Sequence, residues 1–305
     1  MSGLQGRDLL SAADLSASEL QAVMQLAAQL KQGKPSPQGT PILGLLFDKP
    51  STRTRVSFGA AMARLGGSTI DLNPNATQIG RGEPIADTAR VLERYLGVLA
   101  IRTFQQADIE TFARWSQIPT INALSDREHP CQVWADLFTI GECLGNLEGL
   151  TLAYLGDGNN VAQSLLLGGA IAGLHLRIAT PAAHAPEAAI VEQARALAGP
   201  QQQIELTEDP QAAARDAQVL YTDVWTSMGQ QATQDRTAIF QAYRIDAERL
   251  RQAADEAIML HCLPAHRGEE ITNDVMEGPQ ARIWQQAENR MHVQQALLAS
   301  VLGLA

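Results

Sequence analysis

The chain alternates short apolar runs of strand type with amphipathic stretches of helix type, and this alternation constrains the fold most strongly. The apolar runs are ILGLLF, STIDL, GVLAIRTF and PTINAL in the first half, followed by LTLAYLGD, LHLRIATP, IELTED, AQVLYTDVW and EAIMLHCLP. Helix-like stretches such as DTARVLERYL and DIETFARWSQ separate them. This order predicts parallel sheets with helices on both faces. The expected fold class is therefore α/β, with two doubly wound parallel-sheet domains.

The domain organisation follows from length and from one long helical segment. A chain of 305 residues with 45% hydrophobic content can form two domains with separate cores. The segment CQVWADLFTIGECLGN lies between the two series of strands, and glycines follow it at 145 and 149. We therefore predict a first domain over residues 1–145 and a second over residues 146–285. The amphipathic tail ENRMHVQQALLASVLGL predicts a C-terminal helix, within residues 286–305.

Charge and cysteine content exclude several classes of protein. The formal net charge of −10 argues against a surface for nucleic acids or anionic membranes, because like charges repel. Cys131, Cys143 and Cys262 are widely spaced and form no C-x-x-C pair, so neither a disulfide framework nor a zinc knuckle is indicated. The N-terminal residues lack the pattern of a secretory leader, and no apolar run reaches the roughly 18 residues of a membrane span. We expect a cytoplasmic protein.

A cluster of hydroxyl and guanidinium groups stands where the run ILGLLF passes into the helix-like stretch VSFGAAMARLGG. It consists of Ser51, Thr52, Arg53, Thr54 and Arg55. A helix start carries N–H groups without partners and about half a positive charge, so this junction favours an anion. A cap needs only one or two hydroxyls, and arginines add nothing to it. The cluster therefore predicts an anion site, with phosphate as the expected anion.

Polar clusters also follow other apolar runs, at residues 102–103, 129–132, 157–160 and 261–264. In open parallel sheets ligands bind outside the carboxyl ends of the strands, so the clusters together predict one active cleft. Taken singly they are ambiguous. Arg102 also fits a surface arginine, His129 a helix cap and Cys262 a buried inert thiol.

Nucleotide binding is disfavoured by two departures from the usual motifs. Gly156 and Gly158 lie on a strand-to-helix turn, but Val161 replaces the third glycine of G-x-G-x-x-G, and the next strand ends without an acidic residue. The pattern G-x-x-x-x-G-K-[ST] is absent as well. A small phosphorylated metabolite remains as the ligand. A dinucleotide oxidoreductase stays as the first rival hypothesis.

The motifs STRTR, HPCQ, DGNN, DVWTSMG and HCLP occur in this order across nearly the whole chain. In sequence and spacing they resemble the aspartate/ornithine carbamoyltransferase family, and within it the ornithine branch. The resemblance implies two α/β domains with the active site in the cleft between them. It also implies that the C-terminal helix packs back on the first domain. The implied assembly is a homotrimer or a multiple of trimers, with sites at subunit interfaces.

The implied activity is transfer of the carbamoyl group from carbamoyl phosphate to the side-chain amine of L-ornithine. The products are L-citrulline and phosphate, in arginine metabolism. The aspartate branch has proline after the histidine of HCLP and a lysine-bearing loop, whereas this chain has Cys262 and Arg81. The Ser-Met-Gly stretch at 227–229 is intact, which favours ornithine over the alternatives, putrescine and N-acetylornithine.

The resemblance also implies roles for individual residues. The residues expected to bind carbamoyl phosphate are Ser51, Thr52, Arg53, Thr54, Gln78, Arg102, His129, Pro130, Cys131, Gln132, Cys262, Leu263 and Arg290, with Gln78 coming from a neighbouring subunit. Thr54, Arg102 and His129 would polarise the carbonyl and hold the oxyanion. The residues expected to bind ornithine are Asn160, Asp223, Ser227 and Met228.

The attacking amine must lose a proton, since an amine of this type has a pKa near ~10.4 in water. Cys262 is the candidate acceptor, so Cys262, Arg102 and His129 form the expected catalytic set, with Asp223 orienting the ornithine chain. The departing phosphate could take the final proton, so we expect no metal or organic cofactor. A second rival is a carbamoyl phosphate-binding paralogue without activity, but it would have lost the acceptor groups that this chain retains.

Overall fold

The computed structural model describes residues 3–48, 50–73, 80, 82–226 and 234–305. Nine strands lie in these ranges: β1 Ile42–Phe47, β2 Ser68–Leu72, β3 Val98–Arg102, β4 Thr120–Leu124, β5 Thr151–Leu155, β6 His175–Ala179, β7 Ile204–Thr207, β8 Val219–Thr222 and β9 Ile258–His261. No helix in the described ranges is long and apolar enough to cross a bilayer.

Twelve α-helices also lie in the described ranges. They are α1 Ala17–Lys31, α2 Thr52–Arg64, α3 Ile85–Leu92, α4 Gln106–Trp115, α5 Pro130–Leu144, α6 Asn160–Ile171, α7 Ala188–Leu197, α8 Pro210–Ala214, α9 Gln234–Phe240, α10 Ala247–Leu250, α11 Asn273–Met276 and α12 Ile283–Val301. Short 3-10 helices lie at Ala12–Asp14, Ala182–His184 and Gln241–Tyr243.

The chain divides into two compact units. The first comprises residues Met1–Trp134 and Arg290–Ala305, and the second comprises Ala135–Asn289. Both divisions fall inside helices, because α5 and α12 each continue from one unit into the other. From the sequence we predicted domains over residues 1–145 and 146–285 with a C-terminal helix over residues 286–305, and these bounds stay predictions. The packing of the tail on the first domain stays a prediction.

The first unit contains a four-stranded parallel sheet in the order β2-β1-β3-β4. Connections between parallel strands are right-handed, so the change of direction at β1 places crossovers on both faces of the sheet. The central strand β3 is buried along its length, while four of the five residues of the edge strand β2 are exposed. The carboxyl ends of β1 and β3 adjoin at the point where the strand order reverses.

The second unit contains a five-stranded parallel sheet in the order β7-β6-β5-β8-β9. The order reverses between β5 and β8, which are paired from Leu152 with Val219 to Tyr154 with Tyr221. A buried apolar cluster that includes Leu155, Trp225, Phe240 and Met259 packs beside this sheet. Both sheets thus have the doubly wound topology expected from the sequence, and the predicted fold class is confirmed.

Local signals also correspond to observed structure. All nine apolar runs form strands. Ser16 caps α1 in a reciprocal capping box with Glu19: the Glu19 N–H donates to Ser16 Oγ at 3.3 Å, and the Ser16 N–H donates to Glu19 Oε2 at 2.9 Å. The C-terminal helix begins at Ile283, earlier than its amphipathic pattern suggested.

Candidate functional site

The first candidate site lies in the first unit, at the carboxyl ends of β1 and β3. Ser51 is the N-terminal cap residue of α2, but its side chain makes no capping hydrogen bond. The helix therefore does not use this hydroxyl as a cap, and the assignment of the STRTR cluster to a ligand stays a prediction. Thr52 and Arg53 are exposed beside it, whereas Thr54 is buried.

Arg290 joins three of the predicted residues into one buried group. Its Nη2 donates to Thr54 Oγ1 at 2.7 Å, its Nη1 donates to Gln132 Oε1, and the same nitrogen lies 3.5 Å from His129 Nε2. These side chains come from the start of α2, the start of α5 and the last helix, α12. The structure therefore brings together residues that lie far apart in the sequence.

The electrostatic environment of this group is strongly positive. Burial lowers the pKa of His129 well below its ordinary value, and the guanidinium groups of Arg290, Arg102 and Arg53 lower it further. The imidazole is therefore neutral at physiological pH, so one of its ring nitrogens can donate a hydrogen bond without the ring carrying charge. Three cations around a neutral donor favour a dianion together with a polarised carbonyl.

Cys131 precedes Gln132 of this group in the sequence, but its thiol is unreactive. Its side chain is fully buried, and the thiol donates to the carbonyl of Asn122 at 3.4 Å. Burial raises its pKa to about 12. Because the thiolate is the reactive form of cysteine, this side chain is not a candidate nucleophile.

The second candidate site lies in the second unit, where β5, β8 and β9 end. Asn159 Oδ1 caps α6 by accepting from the N–H groups of Val161 and Ala162 at 2.9 and 3.2 Å. Its Nδ2 donates to Asp223 Oδ2 at 2.8 Å, across the point where the strand order reverses. The Cys262 thiol donates to the other oxygen, Asp223 Oδ1, at 2.9 Å. Asp223 is thus held by donors on two sides, directly after β8.

The backbone that follows Cys262 is held by the side chain of its neighbour. His261 Nδ1 accepts from the Leu263 N–H at 2.9 Å, so the ring proton sits on Nε2, which lies 3.0 Å from Glu270 Oε1. Leu263 adopts a φ of 59°, in the left-handed region that costs a branched residue energy. The histidine and its carboxylate partner stabilise this turn.

A third group of charged residues lies beside Asn159. Arg236 Nη2 pairs with Asp157 Oδ2, while its Nε donates to the carbonyl of Trp225 at 2.5 Å. His184 Nδ1 lies 3.7 Å from Asp157 Oδ1. Burial raises the pKa of Asp157 to about 6 and outweighs the opposite effect of Arg236. This carboxylate therefore gains protons just below neutral pH.

Several predicted residues lie outside the part of the chain that the structure describes. They are Gln78, Arg81, Ser227 and Met228. Conversely, sequence reasoning missed the roles of Asn159, Arg236 and Glu270. Asn159 stood inside the quoted DGNN motif, whereas no local pattern marks Arg236 or Glu270, whose partners are brought near by the fold.

Two groups of side chains have the composition of metal ligands. The potential ligand atoms lie within 4.8 Å of one another in Asp223, His261 and Cys262, and likewise in His266, Glu269 and Glu270. In the first group both ring nitrogens of His261 already have partners, so a metal would have to displace Leu263 or Glu270. The expectation that the reaction needs no metal stays a prediction.

Comparison with known proteins assigns both halves of the chain. Residues 7–142 match the carbamoyl-P binding domain of aspartate/ornithine carbamoyltransferase, and residues 148–301 match its Asp/Orn binding domain. A Synechocystis protein named ornithine carbamoyltransferase is 62% identical over 99% of this chain and 98% of its own. A Nostoc punctiforme protein of the same name is 62% identical over 99% of both chains.

Solved structures give the same result. Ornithine carbamoyltransferase from Gloeobacter violaceus has a TM-score of 0.90 at 52% identity, covering 98% of this chain and 100% of its own. The Pyrococcus furiosus enzyme of that name has a TM-score of 0.94 at 44% identity, covering 98% of each chain. Arg53, Arg102, His129 and Gln132 fall in the part matched to the carbamoyl-P binding domain. Arg290 and the Asp223 group fall in the part matched to the Asp/Orn binding domain. On sequence, fold and placement of its polar groups, this chain belongs to the aspartate/ornithine carbamoyltransferase family.

Proposed function

We propose that this chain transfers the carbamoyl group of carbamoyl phosphate to the side-chain amine of L-ornithine, giving L-citrulline and phosphate. The observation that carries the proposal is the pair formed by Asp223 and Cys262 in the domain matched to amino-acid binding. A carboxylate can bind an ammonium group, and a carboxylate paired with a thiol can accept the proton that the attacking amine loses. The relatives named ornithine carbamoyltransferase support the same acceptor.

In this proposal the phosphate of the donor lies at the start of α2. Ser51, Thr52 and Thr54 supply hydroxyl groups there, and the guanidinium of Arg53 supplies charge. Arg102 contacts both the phosphate and the carbonyl oxygen, while the neutral His129 donates to that oxygen. As the amine attacks, negative charge grows on the oxygen, and the donors that are already in position stabilise the tetrahedral intermediate.

Gln132 accepts from the NH2 of the carbamoyl group, together with the backbone carbonyls of Cys262 and Leu263. The Gln132 side chain suits this role because its Oε1 already faces the Arg290 guanidinium and is held in one orientation. Arg290 therefore binds the donor and also orients Gln132. Pro130 and Cys131 contribute backbone at the start of α5.

On the acceptor side, Asp223 binds the α-ammonium group, while Asn160, Ser227 and Met228 bind the ornithine carboxylate. The Cys262 thiol donates to Asp223 and so carries its proton before ornithine arrives. It accepts a proton from the side-chain amine only as it passes its own proton to Asp223. In this relay the thiol passes the proton on and the carboxylate of Asp223 is its final acceptor.

We also propose that the protein is cytoplasmic and works as a homotrimer or a multiple of trimers. Gln78 would then reach the site of a neighbouring subunit. The loop around Gln78, NPNATQIGRGEP, is polar and rich in Gly and Pro, a composition typical of loops that reach outward from a domain.

The test is an assay of acceptor preference. Carbamoyl phosphate labelled with ¹⁴C is incubated with the protein and, in parallel, ornithine, putrescine, N-acetylornithine or aspartate, and labelled products are separated by chromatography. We expect citrulline from ornithine, with a kcat/KM at least about 10²-fold above that of the others, because each lacks a group that the site must pair. Equal or higher kcat/KM with any other amine would overturn the proposed acceptor.

A further inference from the structure

Strand β9 is the edge strand of the five-stranded sheet in the described ranges, and two different groups hydrogen-bond to its outer side. Met259 and His261 both direct their N–H groups outward, since alternate residues of a strand face the same side. The Met259 N–H donates to the carbonyl of Gln280 at 2.9 Å, and the Arg282 N–H donates back to Met259 at 2.9 Å. At His261 the partner is a side chain: the N–H donates to Gln286 Oε1 at 2.9 Å.

The orientation of the Gln286 amide is determined by its other contacts. Gln286 Nε2 donates to Asp136 Oδ1 at 2.7 Å and lies 3.2 Å from the hydroxyl oxygen of Tyr221. That hydroxyl donates to the second carboxylate oxygen, Asp136 Oδ2, at 2.9 Å. A carboxylate only accepts hydrogen bonds, so the amide nitrogen must face Asp136 and the amide oxygen must face His261.

The members of this network are buried and come from four elements. Asp136 and Tyr221 have no exposed surface, and Gln286 and His261 are each 1% exposed. They belong to α5, β8, α12 and β9. Loss of one partner would leave a buried polar group without a hydrogen bond, which is unfavourable and favours a shift of the backbone.

The network acts on the two strands that carry the acceptor groups. Tyr221 stands two residues before Asp223, and His261 directly precedes Cys262. The two strands pair at their ends, where Thr222 is the partner of His261. The contact between the Cys262 thiol and Asp223 therefore depends on the relative position of these strand ends.

We propose that Gln286 is a positioning residue for the reaction, because its side-chain oxygen, oriented by Asp136, holds the end of β9 so that Cys262 meets Asp223. This inference rests on the proposed function for the effect on ornithine. Its effect on the thiol is independent of that function. Gln286 itself touches neither substrate in this account.

The experiment compares Gln286→Met with a matched control. Methionine keeps the length of the side chain and removes both the donor and the acceptor. The control is Thr139→Val, which removes the buried hydrogen bond from Asn289 Nδ2 to Thr139 Oγ1 at 2.9 Å. That bond links the same two helices, α5 and α12, and involves no residue of β8 or β9.

We expect kcat/KM for ornithine to fall at least about tenfold in Gln286→Met, because small displacements of reacting groups are costly. Affinity for inorganic phosphate, measured by calorimetry, should stay within about twofold, since the hydrogen bonds of the Gln286 side chain go to His261, Asp136 and Tyr221. Thr139→Val should keep both values within about twofold. An equal fall in kcat/KM in both variants would overturn the inference.

A second readout does not need the enzymatic activity. The rate of alkylation of Cys262 is followed by peptide mapping in all three proteins. Because a neighbouring carboxylate disfavours the thiolate, displacement from Asp223 should make alkylation of Cys262 faster in Gln286→Met and leave it unchanged in Thr139→Val. An unchanged rate in Gln286→Met would contradict the positioning role. If the wild type makes no citrulline but this rate changes as expected, the proposed function fails and the positioning role stands.

A double variant tests the orientation rule and covers the case in which Gln286→Met does not fold. In Asp136→Asn with Gln286→Glu the amide and the carboxylate exchange places, so residue 286 still accepts from the His261 N–H and also accepts from residue 136. We expect this variant to retain ornithine kinetics within about threefold of the wild type. A folded double variant with a tenfold or greater loss would overturn the inference.

Discussion

At the scale of single residues, two arginines of the first unit have different expected roles. Arg53 is expected to bind the phosphate, and Arg102 is expected to stabilise the charge that develops on the carbonyl oxygen. Arg53 is exposed at the start of α2, whereas Arg102 is buried at the end of β3. Both are close enough to lower the pKa of His129. The exposed residue suits the phosphate, and the buried residue suits the carbonyl oxygen, because a donor in a site without water stabilises charge more strongly.

This difference predicts distinct kinetics for Arg53→Ala and Arg102→Ala. Loss of Arg53 should act chiefly on KM for carbamoyl phosphate. Loss of Arg102 should lower kcat by about 10² or more, because it removes a donor that meets charge formed in the transition state. Steady-state kinetics with both substrates varied distinguish the two effects. An Arg102→Ala enzyme with normal kcat and only a raised KM would refute the assignment of Arg102 to transition-state stabilisation.

Cys262→Ala tests the path of the proton from the amine. Without the thiol the amine must lose its proton to solvent before it attacks, so the rise of kcat/KM for ornithine with pH should move to higher pH. The measurement is a pH profile from 6 to 10, with Cys143→Ala as the control for loss of a partly exposed thiol elsewhere. If the profile stays in place and only ornithine affinity falls, Cys262 serves as a contact and the proton leaves by another route.

At the scale of elements, each candidate site lies at the carboxyl ends of strands where the strand order of its sheet reverses. The sequence predicted every strand of the two sheets, because apolar runs bounded by helix-like stretches are a strong local signal. Arg290 and Gln132 were expected to bind the donor from the family resemblance, and those roles stay predictions. The sequence did not predict the contacts of Arg236, Glu270 or Gln286, because their partners lie on other elements and only the folded chain brings them together.

The turn after β5 depends on close approach of backbone at Gly158. A Cβ atom there would lie 2.4 Å from both the His184 carbonyl oxygen and the Pro186 nitrogen. Gly158→Ala should therefore displace the turn that carries Asn159 and Asn160, lower stability by about 1–3 kcal/mol and reduce kcat/KM for ornithine about tenfold or more.

The control for this variant is Gly141→Ala in the interior of α5, where an added Cβ meets no atom within 4 Å. Alanine at that position should raise stability by about 0.5–1 kcal/mol and leave kinetics unchanged. Urea unfolding and ornithine kinetics provide both readouts. Equal changes in stability and in ornithine kinetics in the two variants would show that the close backbone approach does not require glycine at position 158.

At the scale of the whole molecule, the proposed trimer makes a prediction about mixed assemblies. Arg102→Ala subunits and Gln78→Ala subunits, each nearly inactive alone, are unfolded together and reassembled in equal amounts. A site is intact only when its own subunit carries Arg102 and its neighbour carries Gln78. Random mixing in a ring should therefore give roughly a quarter of the sites in wild-type form. Activity should reappear, and an inactive mixture with proven subunit exchange would refute a shared site.

The proposed reaction forms a bond between the carbamoyl carbon and the side-chain nitrogen of ornithine. The most direct measurement uses carbamoyl phosphate labelled with ¹³C at the carbonyl and ornithine labelled with ¹⁵N at the side chain only, with the product observed by NMR. We expect a one-bond ¹³C–¹⁵N coupling in the new product, and this product should form at the rate at which phosphate appears. A product whose ¹³C carbon shows no coupling to this nitrogen, or release of phosphate without any coupled product, would contradict it.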